Sequence, residues 1–331
     1  MNSGLRNKLS VTDVIKNEVT EYIAQGIFPG AAFAFVEGFE PAHEIVVGQA
    51  AIMPEIEELS ADRLWDLASV SKVVGVGTVL IDRILSGELS ADAPLQSLLP
   101  SWHEETVTLR QLLTHTSGIS PVIENRDKLT KEELIAAMLT LTVIDDKRFR
   151  YTDVNFILLG LALEELDGKP LDVILSAEVF DKWQMSDTSF APVSAERAIS
   201  TDWQLPRGVV HDPKARVLGN DCGSAGLFST VSDLTRFVQG YFANPIYLAL
   251  TENFAATGDV PRSLAWAFAD ASQDWLIHTG YTGTFILMNL KRQQAVIFMS
   301  NRVHLKDERA QWIVDRDRLI QKIILKIEES T

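Results

Sequence analysis

Segments typical of buried β-strands lie near both ends of this chain, and the stretch between them is mostly helical in pattern. Short apolar runs bounded by glycine, proline or polar turns predict strands. Such runs cover residues 31–36, 44–48, 264–268, 275–278, 284–289 and 294–300. Because strands are stable only when they pair, this order predicts one sheet built from both chain ends, with a helical insertion between them.

The helical segments follow from apolar residues that recur every three or four positions. This pattern covers residues 9–24 and 307–328 at the two ends, and the second segment is amphipathic enough to cover a sheet face. Between the ends, helices are predicted at 70–85, 109–114, 131–139 and 155–166. Gly75 and Gly77 weaken the first of these. The 331 residues suffice for one large domain or two interleaved ones.

The composition argues against several classes of function. The chain has 45 acidic and 30 basic residues, and its lysines and arginines do not cluster, which argues against nucleic-acid binding. No run approaches the roughly 18–20 apolar residues that cross a bilayer. The six histidines lack metal-ligand spacing, so neither a metal nor another cofactor is predicted. Cys222, the single cysteine, cannot form an intramolecular disulfide and is predicted to be a buried thiol.

Ser69 and Lys72 form the first candidate catalytic pair. A serine hydroxyl is a poor nucleophile unless a neighbouring group accepts its proton. Residues i and i+3 share a helix face, so Lys72 is expected to lie beside Ser69. If Ser69 begins the helix, its N–H is unpaired and can bind a substrate oxygen. Serine and lysine are common, however, and a pair at this spacing is more often part of a solvated helix face.

Two further segments add groups that acyl transfer needs. Tyr151 precedes the predicted helix 155–166, and a phenol beside an ammonium group can relay protons. A turn at 278–281 follows a predicted strand. Gly280 in this turn lets a substrate approach the strand closely, and the next N–H, that of Tyr281, can serve as an oxyanion donor. Taken singly, each segment also has an ordinary structural explanation, as a half-buried aromatic residue or a turn.

Together, the order and spacing of these segments resemble the penicillin-recognising serine hydrolases: class C β-lactamases, DD-peptidases and β-lactamase-like esterases. Similar segments also occur at 29–32, 67–72, 112–118 and 223–234. The resemblance implies an α/β (α+β) fold, in which an antiparallel sheet is flanked by helices from both chain ends. It implies a sheet domain of residues 1–64 and 206–331, a mostly helical inserted domain of residues 65–205, and an active site at their interface.

The resemblance also implies roles for individual residues. Ser69 would be the nucleophile, and the N–H groups of Ser69 and Tyr281 would form the oxyanion hole. Lys72 and Tyr151 would act as general base and acid, and which of them takes the serine proton stays open. The residues that would line the substrate site are Asp153, His278, Thr279 and Gly280. Acylation followed by attack of water would complete the cycle without a cofactor.

Two positions depart from the family pattern and bear on the substrate. Asp153 stands where many members have asparagine, whose amide can donate to a substrate acylamide carbonyl, whereas an ionised aspartate can only accept. A carboxylate there would also keep Lys72 charged, which favours Tyr151 as the base. His278 stands where lysine is common, and a neutral histidine attracts a substrate carboxylate less than an ammonium does. Both departures favour a small ester or amide substrate over a β-lactam.

Other interpretations stay open or are excluded. An α/β-hydrolase would need Gly-x-Ser-x-Gly, which does not occur in the sequence. A non-catalytic penicillin- or peptide-binding protein of the same fold is the main alternative, and the presence of all three catalytic side chains argues against it. A D-alanyl-D-alanine carboxypeptidase would act outside the membrane. No signal peptide is predicted, which favours a cytoplasmic protein, although an exported protein whose leader had been removed would begin similarly. The oligomeric state is not predicted.

Overall fold

In the computed structural model, which describes residues 9–255 and 260–330, strands from both chain ends form one seven-stranded antiparallel sheet. The strands of the chain are β1 (Gly30–Glu37), β2 (Ile45–Ala51), β3 (Glu57–Glu58), β4 (Trp65–Asp66), β5 (Ser189–Phe190), β6 (Leu227–Ser229), β7 (Ala267–Phe268), β8 (Trp275–Thr279), β9 (Phe285–Asn289) and β10 (Gln294–Ser300). The large sheet has the order β3-β2-β1-β10-β9-β8-β7, and β4, β6 and β5 form a small second sheet. The pairing of β1 with β10 joins the two chain ends at the centre of the large sheet.

Helices cover both faces of the large sheet. In chain order they are α1 (Val11–Ala24), α2 (Thr78–Leu85), α3 (Leu109–Leu113), α4 (Lys131–Leu139), α5 (Val154–Asp167), α6 (Leu171–Leu175), α7 (Pro213–Leu218), α8 (Val231–Ala243) and α9 (Arg309–Glu328). Side chains alternate along β1, so Phe33 packs in the core shared with α1 and α9, whereas Ala32 and Ala34 face the core shared with the helices of the middle of the chain. The sheet is therefore buried on both faces.

The helix predicted at 70–85 is interrupted. A 3₁₀ turn at Ala68–Val70 leads into a π-helical segment at Val73–Gly77, and only then does α2 begin. Gly75 has non-helical backbone angles, φ −106° and ψ −109°. A Cβ atom on Gly77 would lie 2.6 Å from the Lys72 carbonyl oxygen and 2.9 Å from Cβ of Ala265, so the close packing here requires glycine.

The strand predicted at 264–268 is shorter than expected. The N–H of Ser263 donates to the carbonyl oxygen of Trp266 at 3.0 Å, and Ala265 has a φ of +64°, so the chain turns before β7 begins. An alternating apolar pattern does not reveal such a turn, because the turn residues are themselves buried.

The predicted fold class is confirmed: the large sheet is antiparallel, and the terminal helices α1 and α9 pack on it. The division into domains at 1–64, 65–205 and 206–331 stays a prediction. Within residues 9–255 and 260–330, the helices are too short or too polar to span a bilayer. The prediction that no signal peptide is present concerns the first residues of the sequence. Residues 1–8 of that segment are not among the described residues.

Candidate active site

A constrained turn places Ser69. The preceding residue, Ala68, has a φ of +45°, which an L-residue adopts at a cost of about 1 kcal/mol. The buried carboxylate of Asp66 holds this turn by accepting the Ala68 N–H at 2.8 Å, and it also accepts the His211 N–H at 2.7 Å. Burial raises the pKa of Asp66 to about 6 despite these two bonds. Ser69 follows directly and remains partly exposed.

Lys72 lies beside Ser69, as the helical spacing predicts. Its ammonium group is completely buried and donates three hydrogen bonds: to Oγ of Ser69 at 3.1 Å, to Oδ1 of Asp153 at 2.8 Å and to the Ser224 carbonyl oxygen at 2.8 Å. Burial lowers the pKa of Lys72, but the charge of Asp153 and the nearby Tyr151 outweigh burial and hold that pKa above its usual value. Lys72 is therefore an ammonium ion at neutral pH.

Asp153 links two lysines. Its Oδ2 lies 3.0 Å from Nζ of Lys214, and Lys214 also lies 3.0 Å from Oδ2 of Asp212, at the N-terminus of α7. Burial raises the pKa of Asp153, but Lys72 and Lys214 outweigh burial and hold that pKa well below its usual range. We refer to Lys72, Asp153, Lys214 and Asp212 as the ion-pair chain. In the ion-pair chain, each carboxylate oxygen of Asp153 forms an ion pair with one lysine.

Tyr151 lies over the same ammonium group. Nζ of Lys72 is 5.2 Å from the centre of the Tyr151 ring, and the ring packs against His115 with centres 4.4 Å apart and planes inclined by 32°. His115 is held by its own contacts, since its Nδ1 lies 3.4 Å from the Thr152 N–H nitrogen and 3.3 Å from Nδ2 of Asn155. Tyr151 is 44% exposed, so its ring is fixed on one side and open to a ligand on the other.

The end of β8 packs against the Ser69 turn. The hydroxyl groups of Thr282 and Thr284 donate to the carbonyl oxygens of Asp66 and Leu67, at 2.8 and 3.1 Å. At Gly280, a Cβ atom would lie 2.6 Å from the Leu67 carbonyl oxygen, so glycine permits the close packing of these two segments, and the approach of a substrate to Gly280 stays a prediction. Among the hydrogen bonds of residues 9–255 and 260–330, none uses the N–H of Ser69 or of Tyr281. Two unpaired N–H groups thus flank this turn.

The side chains of the 278–281 segment have different environments. His278 is buried, and burial together with the charges of Lys72 and Arg262 lowers its pKa well below the usual value, so its imidazole is neutral. Thr279 is partly exposed at the end of β8. The Tyr281 ring instead stacks on His211, its hydroxyl donates to Asp307, and it takes no part in the contacts around Lys72. Only the backbone of Tyr281 is placed to act at the site.

Arg262 is a buried cation on the sheet side of the site. It is 8% exposed, and its guanidinium carbon lies 4.8 Å from the centre of the Phe149 ring, which contacts His115. Burial lowers the pKa of Arg262 to about 10, so the group stays charged at neutral pH. Within the described part of the chain, no carboxylate pairs with Arg262. In the three residues Arg262, His115 and His278, one buried side-chain nitrogen each has no hydrogen-bond partner among the described residues: Nε of Arg262, Nε2 of His115 and Nδ1 of His278.

Other candidate groups take no part in this site. Cys222 is buried, and burial raises the pKa of its thiol, in agreement with a packing role. Ser71 is 3% exposed, and its Oγ accepts the Leu227 N–H at 3.2 Å. Among residues 9–255 and 260–330, no group of histidine, cysteine, aspartate and glutamate side chains could hold a metal ion.

Three features of the site were not predicted from the sequence: the ion pair of Lys214 with Asp153, the buried Arg262 and the contact of His115 with Tyr151. Lys214 stands far from Asp153 in the chain, and only the fold brings the two together. Arg262 gives no sequence signal, because an arginine beside a short strand is ordinary. The contact of His115 with Tyr151 could not be foreseen, because 36 positions separate the two residues in the sequence.

The comparisons with known proteins agree with this architecture. A model of the beta-lactamase family matches residues 15–320. N-acetylmuramyl-L-alanine amidase of Bacillus subtilis (strain 168) is 23% identical over 85% of this chain and 79% of its own length.

Solved structures show the same fold at lower identity. A class C beta lactamase is 18% identical, with a TM-score of 0.76, and the match covers 97% of this chain and 98% of that one. EstCE1, a hydrolase with promiscuous acyltransferase activity, is 14% identical, with a TM-score of 0.74 and a coverage of 94% and 98%. Because the family match spans most of the sequence and the fold agrees, the chain belongs to the beta-lactamase family.

Proposed function

We propose that this chain is a serine hydrolase that forms an acyl-enzyme on Ser69 and acts on an ester or amide, in the manner of an esterase. The observation that carries the proposal is the buried Lys72 ammonium group, which donates to Oγ of Ser69 while Tyr151 lies over it. Burial of a lysine for packing alone would lower the stability of the fold, because the desolvation of a charge is offset only when the charge is paired. Here the pairing fixes Lys72 between the proposed nucleophile and a proton carrier.

Tyr151 is the proposed base. Lys72 donates to Ser69 and is held protonated by Asp153, so it cannot accept the serine proton in this state. Tyr151, whose ring centre lies 5.2 Å from the Lys72 ammonium nitrogen, is the proposed acceptor instead. The deprotonated Tyr151 takes the proton of Ser69 as Oγ attacks the substrate carbonyl carbon. It then returns that proton to the leaving alcohol or amine as the bond to the acyl group breaks.

The charge that develops on the carbonyl oxygen needs donors that are already in place. The unpaired N–H groups of Ser69 and Tyr281 are the proposed oxyanion hole, and such donors each supply about 10²–10³-fold in rate. The bonds from Thr282 and Thr284 to the Ser69 turn tie the two donor segments together. Water then attacks the acyl carbon, and Tyr151 takes a proton from that water and passes it to Oγ of Ser69 as the bond between Oγ and the acyl group breaks, which releases the acid.

The substrate preference rests on His278 and Asp153. A neutral imidazole stands where a permanent ammonium would attract a substrate carboxylate, and Asp153 is engaged by two lysines. Both features favour an ester or amide that does not depend on these two positions for anion binding or for an amide donor. Relatives include a class C beta lactamase and the hydrolase EstCE1, so both β-lactam and ester hydrolysis belong in the test.

The test compares three substrates side by side: a short p-nitrophenyl ester, a chromogenic cephalosporin and a D-Ala-D-Ala peptide. The proposal predicts the largest kcat/KM for the ester, with loss of turnover in Ser69→Ala. Ser71→Ala is the matched control and should keep the rate, because Ser71 faces the core. Release of D-alanine as the fastest reaction would establish a carboxypeptidase. Stoichiometric binding of the cephalosporin without turnover of any substrate would establish a binding protein instead.

A further inference from the structure

Asp153 poses an electrostatic problem for the proposed mechanism. The proposed proton transfer uses the positive charge of Lys72 beside the Tyr151 ring, and Asp153 lies 2.8 Å from that ammonium group. A carboxylate at this distance cancels most of the field that the lysine produces a few ångströms further away. With asparagine at the same position, the charge of Lys72 would act in full. The substitution by aspartate therefore requires compensation elsewhere.

Lys214 is placed to provide a positive charge that offsets the charge of Asp153. Its ammonium nitrogen lies 3.0 Å from the other oxygen of Asp153, and 86% of its side chain is shielded from solvent, so water screens the charge only partly. Together, Lys72, Asp153 and Lys214 carry one net positive charge, the same as Lys72 beside an asparagine. Asp212, at the start of α7, lies 3.0 Å from Lys214, and in the ion-pair chain it is linked to Lys72 only through Lys214 and Asp153.

We propose that Lys214 is a positioning residue that restores, at the proton-transfer site, the positive charge that Asp153 cancels. Lys214 acts through Asp153 and does not itself contact the reacting atoms. This inference rests on the proposed function, since it concerns the proton transfer between Ser69 and Tyr151. It also explains how a member with aspartate at this position can keep a working base.

Several titratable groups surround Tyr151, and of these the test alters only Asp153 and Lys214. They are Lys72, Asp153, His115, His278 and Arg262, with Lys214 and Asp212 further along the ion-pair chain. His115 and His278 are neutral, because burial lowers the pKa of each. Arg262 remains charged and is not altered. Differences between the variants below therefore report the ion-pair chain.

The test uses the rate constant for labelling of the protein by a fluorophosphonate, measured as a function of pH. On its acidic side, this profile falls as the base becomes protonated. Lys214→Met removes a positive charge, so the acidic limb of the profile, where the rate constant falls, should shift to higher pH by roughly one unit. Asp153→Asn removes a negative charge, so the limb should move down by a similar amount. The double variant should return close to wild type and react faster near neutral pH than Lys214→Met alone.

Two further variants separate charge from structure. Lys214→Arg keeps the charge and should leave the limb in place. Lys291→Met removes a surface lysine that pairs with Asp274 at 2.7 Å, changes the net charge equally, and should also leave the limb unchanged. Shifts of the same sign in Lys214→Met and Asp153→Asn, or a double variant no better than Lys214→Met, would overturn the inference while Ser69 labelling persists. A wild type that is not labelled on Ser69 would overturn the proposed function, and this inference with it.

Discussion

The two sides of the Ser69 pocket differ in how their charges are partnered. On the helical side, the ion-pair chain alternates in sign from Lys72 to Asp212, with neighbouring groups 2.8–3.0 Å apart. On the sheet side, the Arg262 guanidinium has no carboxylate partner among the described residues, and Nε of Arg262 and Nδ1 of His278 have no hydrogen-bond partner there. The charged groups of the helical side thus have partners among the described residues, whereas the polar atoms named on the sheet side do not.

This difference indicates a division of labour. A buried polar atom without a partner costs about 1–3 kcal/mol, so the sheet side is destabilising as it stands. In the ion-pair chain, each charged group instead has an oppositely charged neighbour within 3.0 Å. We infer that the helical side is organised for proton transfer, whereas the sheet side keeps buried polar atoms without partners in the described part of the protein. The predictions below test that contrast, from the largest expected effect to the smallest.

The largest effects are expected on the helical side. Tyr151→Phe keeps the ring on His115 and removes only the hydroxyl group, so kcat/KM for a p-nitrophenyl ester should fall about 10²–10⁴-fold at an unchanged Tm. Lys72→Ala should be at least as damaging. Tyr22→Phe is the control: it removes a buried hydroxyl that bonds the Asp315 carbonyl oxygen at 3.0 Å, far from the site, and should leave kcat/KM unchanged. Near wild-type rates in Tyr151→Phe would favour a non-catalytic protein.

A smaller effect is expected when the family's usual residues are restored on both sides. His278→Lys adds a permanent charge, and Asp153→Asn restores an amide donor. A charge-assisted hydrogen bond contributes about 1.5–3 kcal/mol, which corresponds to roughly 10–150-fold in rate when it forms in the transition state. The double variant should therefore raise the ratio of kcat/KM for a chromogenic cephalosporin to kcat/KM for p-nitrophenyl acetate by at least about tenfold.

The control for this ratio is His103→Lys, which adds the same charge at an exposed histidine bonded to the Leu139 carbonyl oxygen. It should not change the ratio. An unchanged ratio in the double variant would mean that other pocket residues set the specificity. A wild type that already prefers the cephalosporin would contradict the ester assignment itself.

The smallest effect concerns stability and compares the two sides directly. Lys72→Met breaks a buried ion pair and should lower the free energy of unfolding by about 3 kcal/mol. Arg262→Met removes an unpartnered buried cation and should leave that free energy unchanged or raise it by about 1 kcal/mol. Denaturant unfolding at pH 7 measures both. A loss of several kcal/mol in Arg262→Met would show that the sheet side is satisfied in the folded protein, against the contrast drawn here.

The sequence predicted most of the fold because its signals are local. Short apolar runs located β1 and β10, and α4 begins and ends where its periodicity indicates, at Lys131 and Leu139. The interruption of the predicted helix 70–85 depends on close packing of Gly77 against Ala265, which no local pattern contains. Long-range packing also explains the missed turn before β7.

The candidate site was predictable in part. The pair Ser69 and Lys72 follows from helix geometry, and the contact of Asp153 with Lys72 follows from the family resemblance. Lys214 and Arg262 could not be predicted, because each reaches the site from a loop or a short helix whose position depends on the tertiary fold. The catalytic roles themselves stay predictions until measured.

The identity of the nucleophile is the most direct test of this account. A fluorophosphonate should form one covalent adduct per chain, and peptide mapping by mass spectrometry should place it on Ser69. Ser69 is partly exposed beside a buried ammonium group, whereas the competing side chains of Ser71, Ser224 and Cys222 are buried. An adduct on any of these three residues, or labelling that persists in Ser69→Ala, would contradict the proposed mechanism.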